Sequence, residues 1–174
     1  QQSRFDREES SQYKPNQDEF RKDDSIDAEV VDLDKKDKSK IAAIDDSGRA
    51  VTYGDICEFA NVFTSHLPQR SLIFILSENK IGSLLGHTSS LICKVVPLIL
   101  SAKTEECLYL NLRDKYMPEY MWVPDSMVEK LGYETVFSAW DYSLVKTGYP
   151  KVQLYEELSL LLPTSGSTGS PKLV

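Results

Sequence analysis

From about residue 41 onward, apolar residues recur at the spacings of strands and helices. Two apolar runs, Ile41-Ala42-Ala43-Ile44 and Ala50-Val51-Thr52-Tyr53, flank the turn residues Asp45-Asp46-Ser47-Gly48. This order predicts a β-hairpin. Thr52 then precedes apolar residues at helical spacing that continue to Leu67, and a threonine hydroxyl in this position can cap the helix.

Beyond this first helix, continuous apolar runs alternate with helical patterns. The run Leu72–Leu76 is typical of a strand that is buried on both faces of a sheet. A helix rich in small residues is predicted over Ile81–Cys93, where such residues allow close packing. The later elements are a strand over Val95–Leu100, a helix over Thr104–Tyr116, a strand over Tyr120–Val123, a short helix from its cap Asp125 to Leu131-Gly132, a hairpin of Thr135–Phe137 and Tyr142–Val145, and a strand within Leu158–Leu162.

The alternation of strands and helices predicts the fold class. It indicates an α/β domain with a mostly parallel sheet and flanking helices. In such sheets, ligands bind beyond the carboxyl ends of the strands. The segment that follows Leu162 is expected at such a position.

Residues 1–38 differ from the rest of the chain. Charged and polar residues dominate there, and apolar residues are few and scattered. Such a segment buries too little apolar surface to offset the entropy lost on ordering. We therefore predict a flexible charged tail over residues 1–38 and a single α/β unit over residues 39–174.

The overall charge and the cysteine pattern exclude several classes of function. A net charge of −7 and a pI near 4.9 disfavour binding to nucleic acid or to anionic membranes. The most apolar stretch, Val95–Leu100, is far too short to span a bilayer. Cys57, Cys93 and Cys107 show no metal-binding spacing, which fits reduced thiols in a cytoplasmic protein.

Several conspicuous side chains are assigned to packing or to solvated surface rather than to chemistry. We interpret Cys93, Cys107, Trp122 and Trp140 as core residues, His66 and His87 as packing or surface residues, and Asp45 and Asp46 as solvated turn carboxylates.

The segment Thr164–Lys172 is the strongest candidate for chemistry. It combines hydroxyl side chains with Gly166, Gly169 and Lys172. Glycine allows backbone N–H groups to approach an anion, hydroxyls donate hydrogen bonds, and lysine supplies a mobile positive charge. This pattern indicates a phosphate-binding loop, with a flexible glycine–serine linker as the alternative. It is not a GxxxxGK[ST] loop, because the two glycines are too close together and Lys172 follows a proline.

The run Leu160–Lys172 resembles the phosphate loop of adenylate-forming enzymes, a superfamily of acyl-CoA synthetases, peptide-synthetase adenylation domains and luciferases. Leu173 stands where many members have glycine. Two weaker stretches, Gly48–Ile56 and Gly82–Leu98, are similar to earlier segments of the same family and occur in the same order. Together the resemblance covers residues 41–174.

This resemblance implies that the chain is the first α/β subdomain of a longer ATP-dependent ligase, which the 174 residues alone would not complete. A carboxylate would attack the α-phosphate of ATP, giving an acyl-adenylate and pyrophosphate, and the acyl group would pass to CoA or a carrier protein. A fatty or aryl acid with CoA is the first expectation, and an amino acid on a carrier is the second. Mg²⁺ would accompany ATP, with no catalytic residue and no metal ligand in this chain. The resemblance assigns phosphate contacts to Thr164, Ser165, Gly166, Ser167, Thr168, Gly169 and Lys172.

A second interpretation remains open. The chain could be a non-catalytic interaction module that keeps the α/β fold and binds a partner.

Overall fold

The structure is a computed structural model that describes residues 37–164 and 172–173. Most of the predicted tail lies outside these residues. At its described end, the Lys38 carbonyl accepts a 2.9 Å hydrogen bond from the Gly54 N–H. The elements in chain order are β1 (Ile41–Ile44), β2 (Ala50–Thr52), α1 (Tyr53–Ser65), β3 (Leu72–Ser77), α2 (Ile81–Ile92), β4 (Val96–Ser101), α3 (Glu106–Tyr116), β5 (Tyr120–Pro124), α4 (Asp125–Leu131), β6 (Glu134–Ala139), β7 (Tyr142–Lys146), β8 (Pro163–Thr164) and β9 (Lys172–Leu173).

The first hairpin and its helix form as predicted. Strands β1 and β2 pair in antiparallel orientation. The Thr52 hydroxyl accepts a hydrogen bond from the Asp55 N–H at 3.1 Å, and the Asp55 carboxylate accepts one from the Thr52 N–H at 2.8 Å. This reciprocal capping box satisfies backbone groups that the first turn of α1 leaves free.

The main sheet has five strands in the order β4-β3-β5-β7-β6. Strands β4, β3 and β5 run parallel, whereas β7 and β6 are antiparallel to their neighbours. The predicted α/β class is confirmed. The sheet is mixed because the second predicted hairpin, now β6 and β7, joins the parallel strands at one edge.

Side chains of β3 alternate between two apolar layers. Ile73 and Ile75 pack with α1 and α2 on one face of the sheet. Leu72, Phe74 and Leu76 pack with α3 and α4 on the other. A continuous apolar run fits this strand because both of its faces are buried.

The small residues of α2 allow the helix to approach the sheet closely. A Cβ atom on Gly86 would lie 2.2 Å from Cδ1 of the buried Trp122, and one on Gly82 would lie 2.4 Å from the Trp140 carbonyl oxygen. The Trp122 indole N–H donates a 2.7 Å hydrogen bond to the Gly82 carbonyl. This confirms the predicted close packing and the core position of Trp122.

Two predicted helix starts are corrected. Helix α3 begins at Glu106, because the Thr104 N–H donates to the Ser101 carbonyl in a turn that follows β4. Asp125 is the first residue of α4, and Pro124 occupies the cap position. The Asp125 carboxylate instead accepts a 2.6 Å hydrogen bond from the Ser143 hydroxyl.

Three residues predicted in the core are less buried than expected. Trp140 is half-buried, because it lies in the turn between β6 and β7 with a positive φ of 56°. Cys107 is exposed on the first turn of α3, and Cys93 is half-buried.

The strand predicted within Leu158–Leu162 is reduced to one bridge on the free edge of β4. The Leu161 N–H donates to the Pro97 carbonyl at 2.9 Å, and the Leu161 carbonyl accepts from the Ile99 N–H at 3.3 Å. To extend this parallel pairing toward earlier residues, Pro97 would have to donate a backbone hydrogen bond. To extend it toward later residues, Pro163 would have to do so. Proline has no backbone N–H, so the pairing stops in both directions.

Candidate functional site

A polar cleft of about 750 Å³ opens at the carboxyl ends of β3 and β4. The β1–β2 turn and the β6–β7 turn form the rest of its wall. All of its lining residues are polar or charged, and they include Asp45, Asp46, Ser47, Arg49, Glu78, Lys80, Lys103 and Asp141.

Asp45 organises the β1–β2 turn. Its side chain is only 4% exposed. Its Oδ1 accepts hydrogen bonds from the Ser47 hydroxyl at 2.5 Å and from the Ser47 and Arg49 N–H groups at 3.0 and 3.1 Å. The Ser47 hydroxyl and these N–H groups lower the pKa of Asp45 from 3.8 to about 2. The prediction of a solvated carboxylate is therefore wrong for Asp45, because the turn folds back on it, whereas Asp46 is exposed as predicted.

Arg49 links the two turns across the cleft. Its guanidinium lies 2.7 Å from the Asp141 carboxylate and 3.3 Å from that of Asp45. Trp140 and Asp141, the two residues of the β6–β7 turn, both have left-handed φ values, 56° and 61°. This conformation is unfavourable for residues with a Cβ atom, but a two-residue hairpin turn that follows the twist of its strands requires it at both positions.

The loop from β3 to α2 presents a second ion pair. The Lys80 ammonium lies 2.7 Å from the Glu78 carboxylate, and this hydrogen bond raises the pKa of Lys80. Beneath the pair, the Ser77 and Ser83 hydroxyls are 2.7 Å apart. Arg49 and Lys80 are thus each paired with a carboxylate at the cleft.

A smaller recess of about 330 Å³ continues from the cleft toward the apolar layer under α2. Ile75, Leu84, Ile99 and His87 contribute to its walls. Burial lowers the pKa of His87, which keeps the imidazole neutral at pH 7. His66, by contrast, stacks on Phe137 with ring centroids 5.1 Å apart, which is the packing role predicted for it.

The two ends of the predicted phosphate loop lie side by side. In the antiparallel pair of β8 and β9, Thr164 is opposite Lys172 and Pro163 is opposite Leu173. Because Leu161 runs parallel to β4, Thr164 leads toward the carboxyl end of that strand, the edge at which the cleft opens. Ser165, Gly166, Ser167, Thr168 and Gly169 lie outside the described residues, and the contacts assigned to all seven positions stay predictions.

Within residues 37–164 and 172–173, no group of three His, Cys, Asp or Glu side chains could hold a metal ion. In the same part of the chain, none of the helices has the length and apolar character needed to cross a bilayer.

The fold of the chain resembles that of several solved structures. O-succinylbenzoate CoA synthetase (MenE) from Bacillus subtilis, in complex with AMP, is 18% identical with a TM-score of 0.52, over 77% of this chain and 38% of that one. A luciferase-like enzyme from the mealworm Zophobas morio is 14% identical with a TM-score of 0.58, over 78% of this chain and 38% of that one. MatB from Rhodopseudomonas palustris is 14% identical with a TM-score of 0.60, over 81% of this chain and 32% of that one.

The chain has the fold of the amino-terminal domain of adenylate-forming enzymes. This confirms the fold that the sequence resemblance implied. The chain spans roughly a third of the length of the structures it matches, 38% of the MenE chain and 32% of the MatB chain. No protein-family model and no curated protein matches it.

Sequence reasoning missed the charged residues of the cleft. Glu78 and Lys80 directly follow β3, and Lys103 follows β4, so the rule that ligands bind beyond the carboxyl ends of strands could have identified them. Arg49 and Asp141 gave no such signal, because each lies in a hairpin turn and only the tertiary fold brings the two together.

Proposed function

We propose that this chain is the amino-terminal part of an ATP-dependent ligase that activates a carboxylate as an acyl-adenylate. The observation that supports it best is the pairing of Thr164 with Lys172, in a segment that follows the Leu161 bridge and leads toward the carboxyl end of β4. Ligands of α/β sheets bind at that edge. The fold shared with MenE in complex with AMP supports the same proposal.

In this proposal the loop holds the β- and γ-phosphates of ATP while a carboxylate attacks the α-phosphate. Lys172 supplies positive charge, the hydroxyls of Ser165, Ser167 and Thr168 donate hydrogen bonds, and Gly166 and Gly169 let backbone N–H groups face the phosphates. The contribution to the rate is positioning and charge neutralisation at the departing pyrophosphate.

The described residues do not form a metal site of their own. Mg²⁺ is typically bound through substrate phosphates together with one or two carboxylates. We therefore expect any Mg²⁺ to enter with ATP, and no step here depends on a metal held by this chain.

For the acid and its acceptor, we propose a fatty or aryl carboxylate with CoA, in a cytoplasmic enzyme that could serve fatty-acid metabolism. MenE, with which this chain shares its fold, is an O-succinylbenzoate CoA synthetase, and this favours a CoA acceptor by analogy of fold. An amino acid transferred to a carrier protein is the second candidate, and the measurement below separates the two.

The test is ATP–pyrophosphate exchange by the full-length protein that contains this chain, assayed with separate panels of aliphatic, aryl and amino acids. We expect exchange with one class, and we expect Lys172→Ala to reduce it. Lys146→Ala is the matched control, because Lys146 is exposed and lies at the end of β7, opposite Glu134 on β6. If the wild-type protein exchanges with none of the acids, the interaction-module interpretation is favoured instead.

A further inference from the structure

Arg70 binds two carbonyl groups in a segment far along the chain. Its guanidinium donates a 2.8 Å hydrogen bond to the Leu158 carbonyl and a short one to the Tyr155 carbonyl. Arg70 has a left-handed φ of 60° at the entry to β3. Nearby, the Lys151 ammonium donates to the Gln69 carbonyl at 2.8 Å. The turn before β3 is therefore fastened to the segment that leads to β8.

The two carbonyls belong to the two ends of one turn. The Leu158 N–H donates to the Tyr155 carbonyl at 3.1 Å, which closes a four-residue turn with Glu156 and Glu157 at its centre. Arg70 thus contacts the first and last residues of this turn. A guanidinium is suited to this task because it is planar and presents several donors in a fixed fork, so it fixes an orientation as well as a distance.

The turn directly precedes the bridge to the main sheet. Leu161, three residues after Leu158, makes the pairing with β4, and that pairing is limited on both sides by Pro97 and Pro163. A single bridge of two hydrogen bonds fixes register weakly, because a neighbouring ladder does not support it. Arg70 supplies the additional constraint from the amino-terminal side.

We propose that Arg70 is a positioning residue for the phosphate loop: by holding the Tyr155 and Leu158 carbonyls, it sets the register of Leu161 against β4 and so the place at which Thr164 enters the cleft edge. Arg70 lies at the opposite end of β3 from the cleft, so it acts through the backbone of residues 158–164 and touches no substrate. The consequence for nucleotide binding rests on the proposed function, whereas the effect on register does not.

The first experiment measures register without any ligand, by amide hydrogen exchange of the 174-residue chain. In Arg70→Gln, we expect the Leu161 and Ile99 amides to exchange about tenfold faster, because a lost hydrogen bond to a charged donor eases local opening by about that factor. The Phe74 amide in the centre of the sheet should not change. Arg113→Gln is the matched control, since Arg113 contacts Asp114 and Tyr133 and not this segment.

Equal acceleration of the Leu161 and Phe74 amides in Arg70→Gln would show a merely structural role and would overturn the proposal. An unchanged exchange rate of the Leu161 amide would also overturn it. Arg70→Lys keeps the charge but loses the forked arrangement of donors. We expect its Leu161 amide to exchange at a rate between those of wild type and Arg70→Gln.

The second experiment uses pyrophosphate exchange by the full-length protein. We expect Arg70→Gln to raise the KM for Mg·ATP about tenfold and to leave the KM for the carboxylate unchanged. An equal rise in both KM values would contradict positioning of the phosphate loop. If the wild-type protein shows no exchange with any acid, the proposed function fails, and the hydrogen-exchange result still decides whether Arg70 sets the register.

Discussion

The hydroxyl of Tyr142 accepts a 3.0 Å hydrogen bond from the backbone N–H of Glu78, which lies 64 positions earlier in the chain. The same hydroxyl donates to the Leu76 carbonyl at 3.1 Å, and the Tyr142 side chain is fully buried. The Tyr142 hydroxyl therefore satisfies two backbone groups, the Glu78 N–H and the Leu76 carbonyl. Both lie at the end of β3, where the cleft opens. Burial raises the pKa of Tyr142, so the hydroxyl keeps its proton at neutral pH.

Replacing Tyr142 with Phe should destabilise the domain. The Glu78 N–H would lose its partner in a buried site, which costs about 1–3 kcal/mol in the free energy of unfolding. Urea denaturation monitored by circular dichroism measures this cost. Tyr149→Phe is the control, because the Tyr149 hydroxyl bonds the exposed Asp114 carboxylate, and we expect a loss well below that of Tyr142→Phe. Equal losses for the two variants would contradict the proposed importance of the buried hydroxyl.

Gly86→Ala should destabilise the domain by overpacking. The added Cβ atom would lie 2.2 Å from Cδ1 of Trp122, so the helix or the indole has to move. Overpacking of a tight core typically costs about 1–3 kcal/mol. We expect a lower midpoint of urea unfolding together with a changed tryptophan fluorescence spectrum.

The double variant Gly86→Ala, Trp122→Phe identifies the source of that cost. Phenylalanine is smaller than the indole, so the Gly86→Ala change should be less destabilising when Trp122 is absent. If the cost is the same in both backgrounds, the clash with Trp122 is not its cause.

Local signals predicted the first hairpin and helix well. The turn residues Asp45–Gly48 and the Thr52 cap act over only a few positions, and the structure contains the hairpin and the capping box. The end of the Leu161 pairing could not be predicted in the same way. The sequence shows both prolines, but it does not show how the two segments are aligned. Only the pairing of Leu161 with Leu98 reveals that Pro97 and Pro163 both lie where the ladder needs a backbone N–H.

The candidate site was predicted less completely than the fold. The composition of the sequence predicts a phosphate loop over Thr164–Lys172, and the structure adds that Thr164 and Lys172 are paired. The ion pair between Arg49 and Asp141 could not be deduced, because it joins two hairpin turns that are distant in sequence. Contacts of that kind depend on how the sheet brings its turns together.

Asp45 should make the stability of the domain depend on pH in the acid range. Hydrogen bonds from Ser47 and Arg49 lower its pKa from 3.8 to about 2 in the folded state. A carboxylate with a lowered pKa stabilises the fold above its unfolded pKa, and this contribution is lost as the pH falls through the folded value. We therefore expect Asp45→Asn to be less stable than wild type at pH 7, with the difference shrinking between about pH 4 and pH 2.

Thermal unfolding of wild type and Asp45→Asn across this pH range checks the expectation. Asp46→Asn is the matched control, because Asp46 is the exposed neighbour in the same turn. A difference between wild type and Asp45→Asn that stays constant from pH 7 to pH 2 would show that the charge of Asp45 does not contribute.

If the full-length protein is the proposed ligase, Lys172→Ala and Thr168→Ala should slow its adenylation half-reaction and spare its transfer half-reaction. Under the proposed function, each change would remove a hydrogen bond to a charged phosphate, worth about 1.5–3 kcal/mol, or about ten- to a hundredfold in rate when the contact is made in the transition state. Thioester formation from a supplied acyl-adenylate should change little, since the β- and γ-phosphates have already departed. Pyrophosphate exchange measures the first half-reaction and thioester formation measures the second, with Lys146→Ala as the control. If both half-reactions fell by the same factor, the segment would act in folding or in domain movement rather than by holding the phosphates.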